Sequence, residues 1–267
     1  MTVGEDEQTW AGPAFDQPSQ PLTRFIIIAK TPRVGSHLLG RLLWRAGLGV
    51  PHEYYNSQYL PTFAQRWGVD RADPSFPARY LEAVVRHRTV GGVCTVSCAP
   101  RRFHLLEDGL AACQGLPGPS FVHLWRRDSL AQAISLQLAT QSGFWDMTAE
   151  PTSPPEPDMD ILDLDALRRT IRWLLMGELW WRADLRCRTR SLIHIDYKTL
   201  IREPQQTLRR IVEALVPDRA AVLGPPAAEP PTPERLWALQ VLSADQRRGL
   251  YQAYQARFGP LTPLPDP

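Results

Sequence analysis

The sequence predicts an α/β fold with a central, mainly parallel sheet and helices on both faces. Short apolar, β-branched runs alternate along the chain with segments whose apolar residues recur at helical spacing. The first pair is the clearest, because an apolar run at 25–29 is followed by a short loop and then by an amphipathic stretch at 38–46. Strands separated by helices form parallel sheets that are covered on both faces. The 267 residues suffice for one sizeable domain of this kind with appended helices.

The chain divides into three predicted regions. Residues 1–22 are polar, acidic and proline-containing, and we expect a disordered tail there. Residues 23–216 form the α/β domain, and 217–267 form a Pro-rich linker and a C-terminal helical segment. Within the domain, further strands are predicted at 93–97, 120–125 and 192–195. Further helices are predicted at 78–88, 102–113, 129–140, 167–185 and 205–215, and a helical hairpin at 234–258.

Composition excludes several classes of function. The formal net charge is only +2, which gives no support to nucleic-acid binding or to a membrane-surface role. No apolar run approaches the ~20 residues that a membrane span needs, and no secretory leader is recognisable at the N-terminus. The sequence therefore predicts a soluble, cytoplasmic protein.

The cysteines do not predict a metal site. Cys94 and Cys98 have no second metal-spaced pair, whereas structural zinc needs four ligands. We therefore expect reduced thiols and no metal.

A strand, a tight loop and a helix start predict an anion site at residues 33–37. The N–H groups at a helix N-terminus and the positive end of its dipole both attract phosphate. Gly35 lets the backbone approach the ligand, Ser36 can cap the helix or donate its hydroxyl, and Arg33 adds a positive charge. An ordinary strand-to-helix turn with a serine cap is the alternative. The loop is not a Walker A motif, because it lacks the lysine and the second glycine, and this argues against magnesium-dependent phosphoryl transfer.

A second anion site is predicted at residues 121–135. Arg126 and Arg127 follow a strand, and Ser135 lies about two turns into the next helix. An arginine fork and a hydroxyl can hold the same phosphate. Two anion sites on neighbouring strand-to-helix turns suit a nucleotide that carries phosphates at both its 5′ and 3′ positions.

Four stretches together resemble one enzyme family. They are TPRVGSHLLGRLL, GVPHEYYN, VHLWRRDSLAQAISLQLATQSGFW and IDYKTLIREPQQTLRRIVEAL. In family order they are similar to the bacterial sulfotransferases typified by trehalose 2-sulfotransferase. The resemblance implies a P-loop-like three-layer fold that binds 3′-phosphoadenosine 5′-phosphosulfate (PAPS). It also implies transfer of the sulfuryl group to a hydroxyl of a small molecule, sugar or natural product, which leaves 3′-phosphoadenosine 5′-phosphate (PAP).

The resemblance assigns roles to particular residues. The 5′-phosphosulfate loop is the run Arg33, Val34, Gly35, Ser36 and His37. The 3′-phosphate is held by Arg126 and Ser135, with Arg127 as the alternative if the register shifts by one. A homodimer is possible, because related enzymes are dimers, and the segment 141–157, with Trp145, is expected to help select the acceptor.

Glu53 is the general base that the resemblance implies, and His52 is the rival. Sulfuryl transfer removes a proton from the acceptor hydroxyl, and a positioned carboxylate or imidazole accepts it. We expect the rings of Tyr54 and Tyr55 to raise the pKa of Glu53 by desolvation.

The chain departs from the family pattern at three places. Val34 and His37 replace hydroxyl residues of the loop, and Val93 stands after Gly91-Gly92 where many members have a lysine. Another cation must then substitute, and the candidates are Lys30, His37 and Arg101. These departures keep a non-enzymatic PAP-binding protein open as an alternative, while a P-loop-like small-molecule kinase is disfavoured by the absent Walker lysine.

Overall fold

A four-stranded, all-parallel sheet forms the centre of the molecule. The computed structural model describes residues 11–143, 145, 162–188, 191–218 and 242–267. The strands are β1 (Arg24–Lys30), β2 (Val93–Cys98), β3 (Ser120–Trp125) and β4 (Leu192–Asp196), in the order β2-β1-β3-β4. The central strand β1 is buried from Phe25 to Lys30, which its β-branched composition favours. The four predicted strands are therefore confirmed within a residue or two.

Nine α-helices connect and cover these strands within the described ranges. They are α1 (Ser36–Arg45), α2 (Leu60–Arg66), α3 (Phe76–Arg88), α4 (Pro100–Ala112), α5 (Ser129–Ser142), α6 (Leu164–Arg188), α7 (Tyr197–Arg202), α8 (Pro204–Leu215) and α9 (Ala244–Phe258). The short helices α2 and α7 are absent from the prediction, since two turns are too short for a clear periodicity. Of the predicted helical hairpin, α9 is observed, and residues 234–241 lie outside the described residues.

The sheet separates two apolar layers, as the alternation of side chains along a strand requires. Phe25, Ile27 and Ala29 of β1 pack in the layer formed with α2, α3 and α4. Ile26 and Ile28 pack in the opposite layer, with α1 and α8. The predicted three-layer α/β architecture is confirmed.

A third apolar cluster joins α9 to the domain. Leu250 and Tyr254 of α9 pack with residues of α5 and α6, including Ile134 and Ile171. Of the three tryptophans on α6, Trp181 is fully buried, while Trp173 and Trp180 are each 40% exposed. No helix in the described ranges is long and apolar enough to cross a membrane.

The prediction of a disordered tail is wrong for residues 11–22. Asp16 forms a 2.7 Å ion pair with the buried Arg88 of α3, and the N–H of Gln17 donates to the carbonyl of His87. Gln20 donates to the carbonyl of Thr89. A polar segment docks here because a buried guanidinium needs a carboxylate partner, and the segment supplies it. Residues 1–10 lie outside the described residues.

Candidate active site

The predicted site residues gather at one edge of the sheet. In a parallel sheet all strands end at the same edge, where ligands of such folds bind. Lys30 ends β1, Arg126 follows β3, and the adjoining strands β1 and β3 place their two loops side by side. The structure thus brings the two predicted anion sites to neighbouring turns.

The loop after β1 leaves the first N–H groups of α1 without a capping side chain, as the predicted anion site requires. Gly35 is the N-cap of α1 in a left-handed conformation (φ 86°), and Arg33 is also left-handed (φ 63°). Ser36 is the first residue of the helix and not its cap, so no capping side chain covers the first-turn N–H groups. A Cβ at Gly35 would lie 3.1 Å from the ring of Tyr197. The loop therefore requires glycine for its conformation and for its closeness to that ring.

The substitution at Val34 affects the core and not the ligand side of the loop. Its side chain is fully buried in the layer with α1 and α8. It therefore packs as an apolar residue, and the loss of a hydroxyl there removes a group that would have to be buried. His37 lies in the first turn of α1, close enough to Glu53 to lower the pKa of that carboxyl.

Arg33 links the residues of the two predicted anion sites. Its Nε donates to the Oγ of Ser135 over 3.0 Å, and its Nη1 donates to the carbonyl of Trp145 over 2.8 Å. Nη1 of Arg126 donates to the carbonyl of Arg33 over 3.3 Å, and the Arg126 guanidinium lies 4.3 Å from the ring centre of Tyr197. Arg33, Arg126 and Ser135 therefore form one connected group.

Arg127 contacts the C-terminal segment and not the loop at 33–37. Its Nη2 lies 2.5 Å from Oδ1 of Asp266, and its Nη1 donates to the carbonyl of Leu264 over 3.3 Å. Both partners belong to the C-terminal segment beyond α9. The consecutive arginines at the end of β3 therefore differ, since Arg126 contacts the loop at 33–37 and Arg127 contacts the C-terminal segment.

Glu53 is held in place by two donors. Its Oε1 pairs with the Nζ of Lys30, and its Oε2 accepts from Nδ2 of Asn56 over 2.8 Å. The Lys30 side chain is only 4% exposed and that of Glu53 23%. The preceding residue, His52, forms a β-bridge with Val96 of β2, and its carbonyl accepts from the N–H of Ser97 over 3.0 Å. This short pairing brings Glu53 to the edge of the sheet.

The expectation of a raised pKa for Glu53 is wrong. Burial does raise it, but the charge and the hydrogen bond of Lys30 outweigh burial, with smaller contributions from Asn56 and His37. The net result is a pKa of about 2. Glu53 is therefore a carboxylate at neutral pH, which is the form that accepts a proton.

His52 lies in an aromatic environment. Its ring centre is 4.6 Å from that of Tyr59 and 5.4 Å from that of Phe63, with Tyr54 at 5.5 Å. Burial lowers the pKa of His52 to about 3, so the ring is neutral. This environment favours a packing role for His52.

The missing lysine after Gly91-Gly92 has no bearing on this edge of the sheet. Val93 is the first residue of β2 and pairs with Arg24 at the start of β1. It lies roughly 16 Å from the far end of β2, at about 3.3 Å per residue. Of the three candidate cations, Lys30 pairs with Glu53, His37 acts on the pKa of Glu53, and the exposed Arg101 lies at the start of α4.

Three residues of the site were missed from the sequence. Gln132 of α5 donates to the hydroxyl of Thr31 and to the carbonyl of Pro32, which connects α5 to the loop after β1. Asn56 and Tyr197 are the other two. Tyr197 follows the end of β4, so the rule that ligands bind at strand ends could have identified it. Nothing in the sequence distinguishes Asn56 and Gln132 from ordinary loop and helix residues.

The remaining candidates have structural roles. Cys94 and Cys98 are buried free thiols, and no cluster of potential metal ligands occurs among the described residues. His123 is fully buried, and its ring nitrogens lie 2.9 Å from His194 and 3.3 Å from Glu178. These groups satisfy each other inside the fold.

Comparison with known proteins agrees with the resemblance found in the motifs. Residues 104–234, just under half of the chain, match the model of the Stf0 sulphotransferase family. The matched range contains Arg126, Arg127 and Ser135, whereas the loop at 33–37 and Glu53 precede it. Comparison with curated proteins gives no match.

Three solved structures are similar to this chain at low identity. A sulfotransferase from Alicyclobacillus acidocaldarius has 14% identity and a TM-score of 0.48, with 89% of this chain and 92% of that one covered. The sulfotransferase domain of the curacin biosynthetic pathway has 15% identity and a TM-score of 0.44, with coverage of 93% and 94%. The sulfotransferase domain of the Synechococcus PCC 7002 olefin synthase has 16% identity and a TM-score of 0.43, with coverage of 92% and 98%.

Proposed function

We propose that the chain transfers a sulfuryl group from PAPS to a hydroxyl of a small molecule, sugar or natural product, and the match of residues 104–234 to the Stf0 sulphotransferase model supports this proposal. The observation that carries the proposal is the pairing of Lys30 with Glu53 beside a glycine-capped phosphate loop. A cation and a deprotonated carboxylate then stand next to the place where the 5′ end of a nucleotide would bind.

The donor suits the two connected anion sites. The loop at 33–37 would hold the 5′-phosphosulfate through the first N–H groups of α1 and through Arg33. Arg126 and Ser135 would hold the 3′-phosphate through a fork of N–H donors and a hydroxyl. Because Arg33 already contacts Ser135 and the carbonyl of Arg33 contacts Arg126, binding at one site would order the other.

In the proposed reaction, the acceptor oxygen forms a bond to sulfur while the bond from sulfur to the bridging 5′-phosphate oxygen breaks. The proton of the acceptor hydroxyl passes to the carboxylate of Glu53. The electron pair of the broken bond stays on the phosphate of PAP. No metal is needed for this charge balance, because the chain supplies Lys30 and Arg33 as cations.

Lys30 would serve two partners in turn. In the free protein its ammonium keeps the pKa of Glu53 low, although burial acts in the opposite direction. When the donor binds, the transferring group brings negative charge that competes for the same ammonium. A weaker Lys30–Glu53 pair raises the pKa of Glu53, and Glu53 becomes a stronger base when the acceptor must lose its proton.

The test is transfer of labelled sulfate from PAPS to a panel of sugars, phenols and aliphatic alcohols. The proposal predicts a labelled product with at least one hydroxyl class, together with stoichiometric PAP. Binding of PAP without transfer to any acceptor or to water would favour the non-enzymatic alternative. Absence of PAP binding would overturn the proposal.

A further inference from the structure

The end of β3 carries a second group of cations outside the connected site described above. Arg127 and the buried Arg182 of α6 lie on the ring of Trp125, with guanidinium carbons 5.2 and 5.1 Å from the ring centre. Both arginines bind the C-terminal segment. Arg127 contacts Asp266 and the carbonyl of Leu264, and Nη1 of Arg182 donates to the carbonyl of Pro265 over 2.9 Å.

This group offers more donors than the segment accepts. The side chain of Arg182 is only 9% exposed, and its Nε pairs with Glu178 over 2.7 Å. Its Nη2 is buried and has no hydrogen-bond partner among the described residues. A buried guanidinium nitrogen without an acceptor is costly, so the segment satisfies this pair of arginines only in part.

A phosphate monoester has the chemistry to compete with Asp266 for Arg127. It brings three acceptor oxygens and a charge near −2, whereas Asp266 brings a single negative charge. The contact between Arg127 and Asp266 is also easy to exchange, because the two side chains are 41% and 76% exposed. Arg127 directly follows Arg126, which the proposed function assigns to the 3′-phosphate.

We propose that residues 264–266 are an intramolecular ligand of Arg127 and Arg182, and that the 3′-phosphate of the nucleotide competes with Asp266 for Arg127. This inference rests on the proposed function and adds a regulation of the same site. With the segment in place, Arg126 and Ser135 alone meet the 3′-phosphate. With Asp266 displaced, Arg127 joins them, and the cost of displacement lowers the net affinity for the nucleotide.

The experiment is calorimetric titration of the full chain and of Asp266→Asn with PAP and, in parallel, with AMP, which lacks the 3′-phosphate. We expect Asp266→Asn to bind PAP about 3- to 5-fold more tightly, the range that an exposed ion pair allows, and to bind AMP unchanged. This gain in PAP affinity should vanish when Asp266→Asn is combined with Arg127→Ala. Asp245→Asn is the matched control. It removes the same charge, and Asp245 pairs with Arg248 on α9 over 2.5 Å, the distance between Asp266 and Arg127.

Three outcomes would overturn the inference. Equal gains for PAP and AMP would indicate a general effect of charge, and an unchanged affinity for PAP would show that Asp266 does not compete. A gain in PAP affinity that persists when Asp266→Asn is combined with Arg127→Ala would show that the contact between Arg127 and Asp266 is not its cause. Each of these leaves the proposed function intact as long as the full chain binds PAP and Arg33→Ala weakens that binding. Failure of PAP to bind any variant would overturn the proposed function as well.

Discussion

At the edge of the sheet where the strands end, the two halves of the site differ in how exposed their charged residues are. On the side of β1 and β2, Lys30 and Glu53 form a pair whose side chains are 4% and 23% exposed. On the side of β3 and β4, Arg126 stacks on Tyr197, and the 41% exposed Arg127 contacts a carboxylate of the C-terminal segment. The first half holds its charges in a fixed, partly desolvated geometry, whereas the second offers them to exchangeable partners.

The difference suits the two tasks that the proposed function assigns to these halves. Proton transfer needs a group at a fixed place with a defined protonation state, and burial next to one counter-ion provides both. Binding a phosphate needs donors that exchange one anion for another at small cost, which exposed arginines provide. Substitutions in the first half should therefore change turnover and stability, and substitutions in the second should change nucleotide affinity.

Glu53→Gln should give the largest effect on turnover. The amide keeps the shape and the contact with Asn56 but cannot accept the acceptor proton, so we expect kcat to fall by about 10²- to 10⁴-fold. The affinity for PAP should stay within about 2-fold of that of the native chain, since Glu53 is not one of the proposed phosphate contacts. Glu82→Gln on the exposed face of α3 is the control. Near-normal turnover of Glu53→Gln with intact PAP binding would remove Glu53 from the mechanism.

Lys30→Met should lower both turnover and stability. The substitution leaves the Glu53 carboxylate without its cation, and we expect the free energy of unfolding in urea to fall by about 3 kcal/mol. Adding Glu53→Gln to Lys30→Met should recover most of the stability but none of the turnover. If Lys30→Met alone were as stable as the native chain, the pairing of Lys30 with Glu53 would not contribute to the stability of the fold.

The pH dependence of stability should report the same pair. The pKa of Glu53 is lowered from 4.5 to about 2 in the folded protein, so its contribution to stability is complete above 4.5 and is lost as the pH falls towards 2. The difference in unfolding free energy between the native chain and Glu53→Gln should therefore be constant from pH 5 to 7 and shrink at lower pH. Urea unfolding at a series of pH values measures it, and a difference that grows on acidification would contradict the assignment.

Gly35→Ala should have a smaller effect, mainly on nucleotide binding, because Gly35 follows β1 but lies against Tyr197 of the other half. The residue has φ 86°, and the new Cβ would lie 3.1 Å from Tyr197, so the loop must shift. We expect a loss of about 1 kcal/mol in stability and weaker PAP binding. Gly68→Ala is the matched control, because Gly68 also has a left-handed φ, of 66°, but no atom within 4 Å of the added Cβ. Equal effects of the two substitutions on PAP affinity would show that the loop is not a nucleotide contact.

The sequence predicts the architecture and the strand-end loops because both depend on local patterns. The apolar run before Thr31 and the run before Arg126 each identify a strand, and parallel strands necessarily end together. The pairing of Lys30 with Glu53 is not local. It joins residues 23 positions apart, with all of α1 between them, and depends on a single bridge between His52 and Val96.

Contacts over still longer separations explain the other misses. Asp266 is 139 residues from Arg127, and Asp16 is 72 residues from Arg88, the cation that holds the segment before β1. Neither periodicity nor turn chemistry specifies such a partner. The direction of the pKa shift at Glu53 was missed for the same reason, since the adjacent rings predict desolvation while the distant Lys30 decides the outcome.

Calorimetric titration with PAP, side by side with ADP plus magnesium, tests whether Arg33 and Arg126 form a PAP site. We expect tight binding of PAP, weaker binding of magnesium–ADP, and a loss of PAP affinity of about 10- to 100-fold in Arg33→Ala and in Arg126→Ala, the range for one charge-assisted contact. A preference for magnesium–ADP, or PAP binding that neither substitution weakens, would contradict it.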